Sequence, residues 1–337
     1  MSFARLRRPL LISIGFGAVV FAALVAYGDV TDVAEDIEDF HWPLLPLVLL
    51  VALGNYVLRW VKWQYYLGRL RIDVPPLASF LIFMSGLALV VTPAKVGEWV
   101  KCYLLKQRYD VPLMRSTPIL FAERVTDALA LMLLALAGAV AFERSVWPVI
   151  AVVVLGAAIV MAISRHRPFG RAALARVQRL PIVGRFAPTL NEMYESNYAL
   201  MAPRDVALMT ALSVVAWGTQ VVAFYLVLVG LQADAGGETF MKASFILPIS
   251  TLAAALLLLP GGLGVAETGI ASLTESLLDV SRSVASAATL LIRLSTLWFA
   301  VVLGLVAYFI VLRLSAMPAA DPEGAERGLA TATDSTA

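Results

Sequence analysis

Two stretches interrupt long apolar runs in the same manner. Thr92-Pro93-Ala94-Lys95-Val96-Gly97-Glu98 and Leu259-Pro260-Gly261-Gly262-Leu263-Gly264-Val265-Ala266-Glu267 each bring a Pro, a Gly soon after it and then a Glu. Pro removes a backbone donor and clashes with the preceding turn, and Gly tolerates positive φ, so Pro93, Gly97 and Pro260 predict helix breaks. Broken backbone at membrane depth survives only where protein or a watery cavity surrounds it. A matched pair of breaks in two halves of a chain points to a transport site. The plainer reading is two ordinary interhelical loops, since Pro and Gly also mark simple turns.

The membrane setting follows from composition. Of 337 residues, 60% are hydrophobic and 15% charged, with a mean hydropathy of +0.84, whereas a soluble domain carries about 25% charged residues. The net charge of +2 gives no reason to expect a nucleic-acid partner, so the placement of the charges carries the information. Cys102 is the single cysteine, which rules out an intramolecular disulfide, and His41 and His166 stand far apart in connecting segments. No metal or other cofactor is expected.

Taken in order, Arg5, Arg7 and Arg8 precede an apolar run from Pro9 to Gly28. Its length suits a retained signal-anchor helix, although Ala26-Tyr27-Gly28 would also serve as a cleavage site. An acidic stretch from Asp29 to His41 is expected outside. Trp42 to Leu67 is a second span, and Trp60, Trp63, Tyr65 and Tyr66 read as an interfacial belt before the cytoplasmic Arg69 and Arg71. Lys95, Lys101, Lys106, Arg108 and Arg115 cluster around the first break, so a hairpin over 76–107 that enters and leaves on the cytoplasmic face fits the charges best. Ser116 to Phe142 closes the first half. Val146 to Ser164 returns inward to a basic linker, 165–203. Its arginines fit a helix lying on anionic lipid, or simple positive-inside bias. Val206 to Leu231, a second hairpin over 240–279 and a closing span from Ser283 to Leu314 complete the second half. The tail, 316–337, reads as disordered cytoplasmic chain.

The expected fold is therefore an all-α polytopic membrane protein of about six full transmembrane helices plus two re-entrant hairpins. Its halves, 1–143 and 144–315, read as an inverted repeat. Arg124 and Arg293 stand at similar distances beyond their breaks, and the basic residues place the two hairpins on opposite faces with both termini cytoplasmic. That is the arrangement of many alternating-access transporters.

Ionisable groups at membrane depth cost about 2.5–3.5 kcal/mol each on insertion scales, so they turn inward and pair. The candidates are Lys95, Glu98, Lys101, Glu123, Arg124, Asp127, Glu267 and Arg293. Glu123 and Asp127 share a helical face. In one reading Glu98 and Glu267 cap their half-helices and pair with Arg124 or Arg293. In the other, Arg124, Arg293 and Lys95 bind a phosphate or phosphodiester that Gly261, Gly262 and Gly264 let approach the backbone. No nucleophile, phosphate loop or metal-ligand spacing is visible, so catalysis is not expected.

With these motifs, and Glu123-Arg124-Val125-Thr126-Asp127 between them, the sequence resembles the flippase-like family that includes the membrane domain of lysylphosphatidylglycerol synthase. The resemblance runs from about Pro9 to Leu314. The family pattern often has Arg where Lys95 and Lys101 stand here and Gly where Ala94 stands, which weakens a bidentate phosphate role for Lys95. The resemblance implies movement of an aminoacylated phospholipid or a polyprenyl-linked glycan between leaflets of the cell membrane. The soluble transferase domain of the synthase has no counterpart in this sequence, so lysyl transfer is not expected of it. Two alternatives remain open: a secondary transporter of a small water-soluble anion, and a non-catalytic membrane partner of a separate biosynthetic enzyme.

Overall fold

A computed structural model of the chain describes residues 3–92, 96–139, 155–156, 187–256 and 262–316. Within these, every regular element is helical. Pro93, Lys95, Pro260 and Gly261, the expected span 146–164, most of the basic linker and the tail beyond 316 lie outside the described residues.

Helix α1 (Phe3–Tyr27) ends where Asp29 takes a left-handed conformation and caps α2 (Val30–Glu38). The Asp29 carboxylate accepts from the Thr31 amide and hydroxyl at 3.1 and 2.7 Å. The hydroxyl bond is the larger cause holding this carboxyl below its usual range. The chain turns 96° between these helices. The acidic stretch that looked like a plain outer segment is thus a short amphipathic helix, with Val33 and Phe40 packed into the core.

A 3-10 turn (Trp42–Leu44) leads into α3 (Leu45–Arg69), and α4 (Pro76–Leu87) follows. From Ala88 to Thr92 the chain runs in tight turns, the Thr92 hydroxyl donating to the Leu89 carbonyl at 2.6 Å. It resumes in α5 (Val96–Tyr109), so Gly97 sits in the first turn of a helix rather than within a break. Helix α6 (Leu113–Ala139) matches the expected closing span. After the undescribed segment come α7 (Ala187–Leu200), α8 (Pro203–Gly230) and α9 (Gly237–Leu256). Gly262 and Gly264 both hold positive φ, 71° and 88°, at the start of α10 (Val265–Leu278). A side chain at either position would be strained, so these glycines are required by the turn. The last span, expected as one helix, is α11 (Arg282–Arg293), a π-helical turn (Leu294–Trp298) and α12 (Phe299–Ala316).

Three of these helices are long and apolar enough to cross a membrane: Trp42–Arg69, Pro203–Gly230 and Arg282–Arg313. The bent pair α1 and α2 makes a fourth if taken as one span. Helix α6 is 27 residues long but carries Arg115, Glu123, Arg124 and Asp127. The chain is an all-helical polytopic membrane protein.

Helices α3 and α8 run antiparallel through the centre: His41 donates to the Gly230 carbonyl at one end, and Arg69 pairs with Asp205 at 2.7 Å at the other. One apolar core gathers around the second half of α3 with α4, α5 and α12, the other around the second half of α8 with α9, α10 and α11. The aromatic belt expected on α3 is corrected here. Trp63 and Tyr66 are fully buried in the first core, and Trp60 and Tyr65 pack against it. They turn inward because α4 and α6 cover that face, as in the edge-on contact of Trp60 with Phe80 at 5.4 Å.

Helix α4 packs against α12, and α9 packs against α6. Both contacts close on a glycine. A Cβ on Gly304 would lie 2.1 Å from the Ala88 amide nitrogen, and one on Gly138 would lie 2.5 Å from the Met241 carbonyl oxygen and the Phe245 nitrogen. Gly304→Leu and Gly138→Leu are therefore expected to cost at least about 1–3 kcal/mol through overpacking. Gly54→Ala, with nothing within 4 Å of the added methyl, should be neutral or stabilising by up to about 1 kcal/mol. Thermal unfolding in detergent with size-exclusion profiles checks both; a neutral Gly304→Leu would refute the close packing of α4 on α12.

Candidate functional site

Between the two cores lies a cavity of about 630 Å³. The middle of α3 lines it with Asn55, Tyr56 and Arg59, and the middle of α8 with Trp217 and Gln220. Glu98, Arg124, Asp127, Gly262 and Arg293 add polar groups from the regions the sequence singled out. The rest of the wall is largely apolar, including Leu131, Leu247, Leu252 and Ala253–Ala255.

The intramembrane charges are joined in pairs. Arg124 Nη2 lies 3.3 Å from Glu98 Oε1 on α5 and 3.2 Å from Asp127 Oδ2 one turn along its own helix. Glu98 stands in the first turn of α5, where unpaired amides and the helix dipole favour a carboxylate. In the second half, Arg293 Nε donates to Glu267 Oε1 at 2.5 Å, and the Gly264 amide donates to Glu267 Oε2 at 2.7 Å. Glu267 is wholly buried. Gly264 thus spends its amide on Glu267, whereas Gly262 faces the cavity.

Behind the cavity wall, Lys101 reaches Glu123 at 2.9 Å, each about 5% exposed. Its ammonium lies over the Trp63 and Phe83 rings at 4.5 and 5.0 Å. Lys62, which the sequence reading did not select, is buried at 2% exposure and bonds Asp127 Oδ1 at 2.7 Å. Ser213 on α8 accepts from Lys62 at 2.6 Å and donates to the same carboxylate at 3.0 Å. Asn55, Arg59 and Lys62 recur at helical spacing along α3, a polar stripe in an apolar run. That stripe was the available signal, masked by the belt reading of the neighbouring aromatics.

The π-helical turn follows Arg293 directly. Such a turn shifts one backbone register and often sits at a functional site. Here the Tyr56 hydroxyl, from α3, donates to the Thr296 carbonyl within it. Of the expected site residues, Glu98, Arg124, Asp127, Gly262 and Arg293 meet at the cavity. Lys101, Glu123 and Glu267 stand behind it as counter-charges, Gly264 caps a helix, and Lys95 and Gly261 lie outside the described residues.

Removing one partner of a buried ion pair strands the other charge, at about 3–5 kcal/mol. Lys101→Met should therefore destabilise the chain by that order. Lys101→Met with Glu123→Gln should recover most of the loss, because no net charge is then buried. Unfolding curves of the single and double variants give the comparison; equal stability of Lys101→Met and wild type would refute a structural role for the pair.

Residues 10–304 match the family model described as the lysylphosphatidylglycerol synthase TM region. Over 325 residues the chain is 23% identical to a UPF0104 membrane protein of Methanothermobacter thermautotrophicus, covering 88% of this chain and 94% of that one. It is also 25% identical over 315 residues to the glycosyltransferase AglD of Haloferax volcanii, covering 81% of this chain but half of the relative. The chain belongs to the family of the lysylphosphatidylglycerol synthase transmembrane region.

Proposed function

We propose that the chain is a lipid flippase that moves an amphiphile with an anionic, aminoacylated or polyprenyl-linked head group between leaflets, without catalysing a reaction of its own. The observation that carries this reading is the cavity itself. It is a chamber with a largely apolar wall lined by Arg59, Arg124 and Arg293; Arg124 and Arg293 each pair with a glutamate that follows a break, Glu98 in the wall and Glu267 behind it. Such a chamber suits a polar head group passing through while its acyl or prenyl tail stays in lipid.

The halves 1–143 and 144–315 act in this proposal as inverted repeats working by alternating access in the cell membrane, with both termini cytoplasmic. The reciprocal packing of α4 on α12 and α9 on α6 supports it, since a two-fold exchange carries one contact into the other. Re-entrant hairpins over 76–107 and 240–279 belong to the same proposal. One observation favours a second role beside transport. The chain aligns with half of a protein named as a glycosyltransferase, which fits a membrane module working next to a separate enzyme that makes the lipid.

The test is reconstitution of the full chain in liposomes, with fluorescent phospholipids of different head groups followed by a dithionite leaflet assay. The wild type should move at least one anionic or aminoacylated class, and Arg124→Ala with Arg293→Ala should lose about tenfold or more of the rate, as loss of a charge-assisted contact implies. Because Arg293→Ala strands buried Glu267, Arg293→Gln with Glu267→Gln serves as the charge-balanced comparison. Uptake of a soluble anion without lipid movement would replace this reading with a solute carrier.

A further inference from the structure

Among the described residues, the charges around the cavity do not cancel. Among the described residues, Arg124 is shared by Glu98 and Asp127, Lys62 pairs with Asp127, Lys101 with Glu123 and Arg293 with Glu267. These four cations are matched by four carboxylates. Arg59 is left over. It lines the cavity and makes no ion pair or hydrogen bond among the described residues, although it is within electrostatic reach of Asp127. An uncompensated charge at membrane depth is costly, and one group of opposite sign removes the cost.

Other donors on the same wall are also unspent. Among the described residues the Trp217 indole N–H and the Arg124 Nε are buried without a hydrogen-bond partner, and Gln220 lines the same cavity. Asn55, by contrast, already donates to the Ala216 carbonyl at 2.6 Å. That bond and the Lys62 bond to Ser213 tie α3 antiparallel to α8, with Arg59 between the two anchors on α3. Arg59 and Arg124 both lie within electrostatic reach of Asp127, and Trp217 and Gln220 line the same chamber. A guanidinium fork with flanking N–H donors suits two oxygens of a phosphate group.

We propose that Arg59, Trp217, Gln220 and the Arg124 Nε form an anion subsite that selects a singly charged phosphodiester of an amphiphile over a doubly charged phosphomonoester. This rests on the transport reading for its cargo, but its own basis is the charge balance. A phosphodiester brings one negative charge, which Arg59 neutralises. A phosphomonoester above its second pKa of about 6 brings nearly two, leaving one buried and unmatched. The apolar wall formed by Leu131, Leu247 and Leu252 takes the first part of the tail.

The experiment titrates the full chain in detergent, by calorimetry, with dioctanoyl phosphatidylglycerol, dioctanoyl phosphatidic acid and inorganic phosphate at pH 5.5 and pH 8. The expected result is phosphatidylglycerol binding at both pH values, weakened tenfold or more by Arg59→Gln and less by Arg59→Lys. Phosphatidic acid should bind at least tenfold more weakly at pH 8 than at pH 5.5. Melting temperatures check that the variants fold; if Arg59→Gln does not, the smaller loss in Arg59→Lys is the measure. Wild-type affinity in Arg59→Gln, or in Arg59→Lys where that variant is the measure, would overturn the subsite. Phosphatidic acid binding as tightly as phosphatidylglycerol at pH 8 would overturn the charge selection. Inorganic phosphate binding as tightly as the lipid, with the same dependence on Arg59, would overturn the amphiphile as its source. Arg59-dependent binding without leaflet movement would sink the transport reading and leave the subsite standing; movement unaffected by Arg59→Gln would do the reverse.

Discussion

Helix α6 carries Glu123, Arg124 and Asp127 through the interior of the protein, and neighbouring helices are placed so that these charges find partners. Lys62 comes from α3, Glu98 and Lys101 from α5, and Ser213 from α8. In a low-dielectric interior each of these charges alone would be costly; Lys62, Asp127, Arg124 and Glu98 form a chain of alternating sign, and Lys101 and Glu123 form a separate pair. The constraint runs outward from there. Once α3, α5 and α8 are tied to α6, the second half of α3 must face inward, which is why Trp63 and Tyr66 sit in the core. The Lys101 ammonium is then covered by aromatic rings instead of water.

The second half answers the same problem with fewer groups. Glu267 is buried completely, yet all its needs are met by one arginine and one backbone amide. The left-handed glycines before α10 bring that amide back over the carboxylate. The π-helical turn after Arg293 then offers a carbonyl to Tyr56, so the closing span of the second half is pinned to the centre of the first. Arg124 and Arg293 thus each pair with a glutamate at the start of a helix, and both line the cavity.

The reciprocal seating of α4 on α12 and of α9 on α6 makes the halves interdependent. Backbone meets backbone at Gly138 and Gly304, so neither pair of helices has room to separate by side-chain adjustment alone. A shape change in such a body is a rigid shift of packed groups, since close-packed interiors are bistable rather than softly deformable. The polar residues of α3 and α8 face the chamber from the middle of those helices, between two apolar cores that hold their ends.

The helices, the membrane setting, the glycine-dependent turn before α10 and the partners in waiting at Glu98, Arg124, Glu267 and Arg293 were all legible in the sequence. Hydrophobic period, proline position and the cost of lone charges are local or compositional facts. The roles of Lys62 and Arg59 were not legible, although their spacing from Asn55 was. Whether a lysine in an apolar run snorkels to the interface or turns inward depends on which helix covers it, and that is a property of the assembled bundle. The acidic stretch after Tyr27 likewise became a helix because α11 offers its apolar side a surface. Sequence alone determined that buried charges would have to pair. Tertiary structure alone decided which of the described charges pair and that Arg59 faces the cavity, because pairing is set by distances between helices that the chain order does not contain.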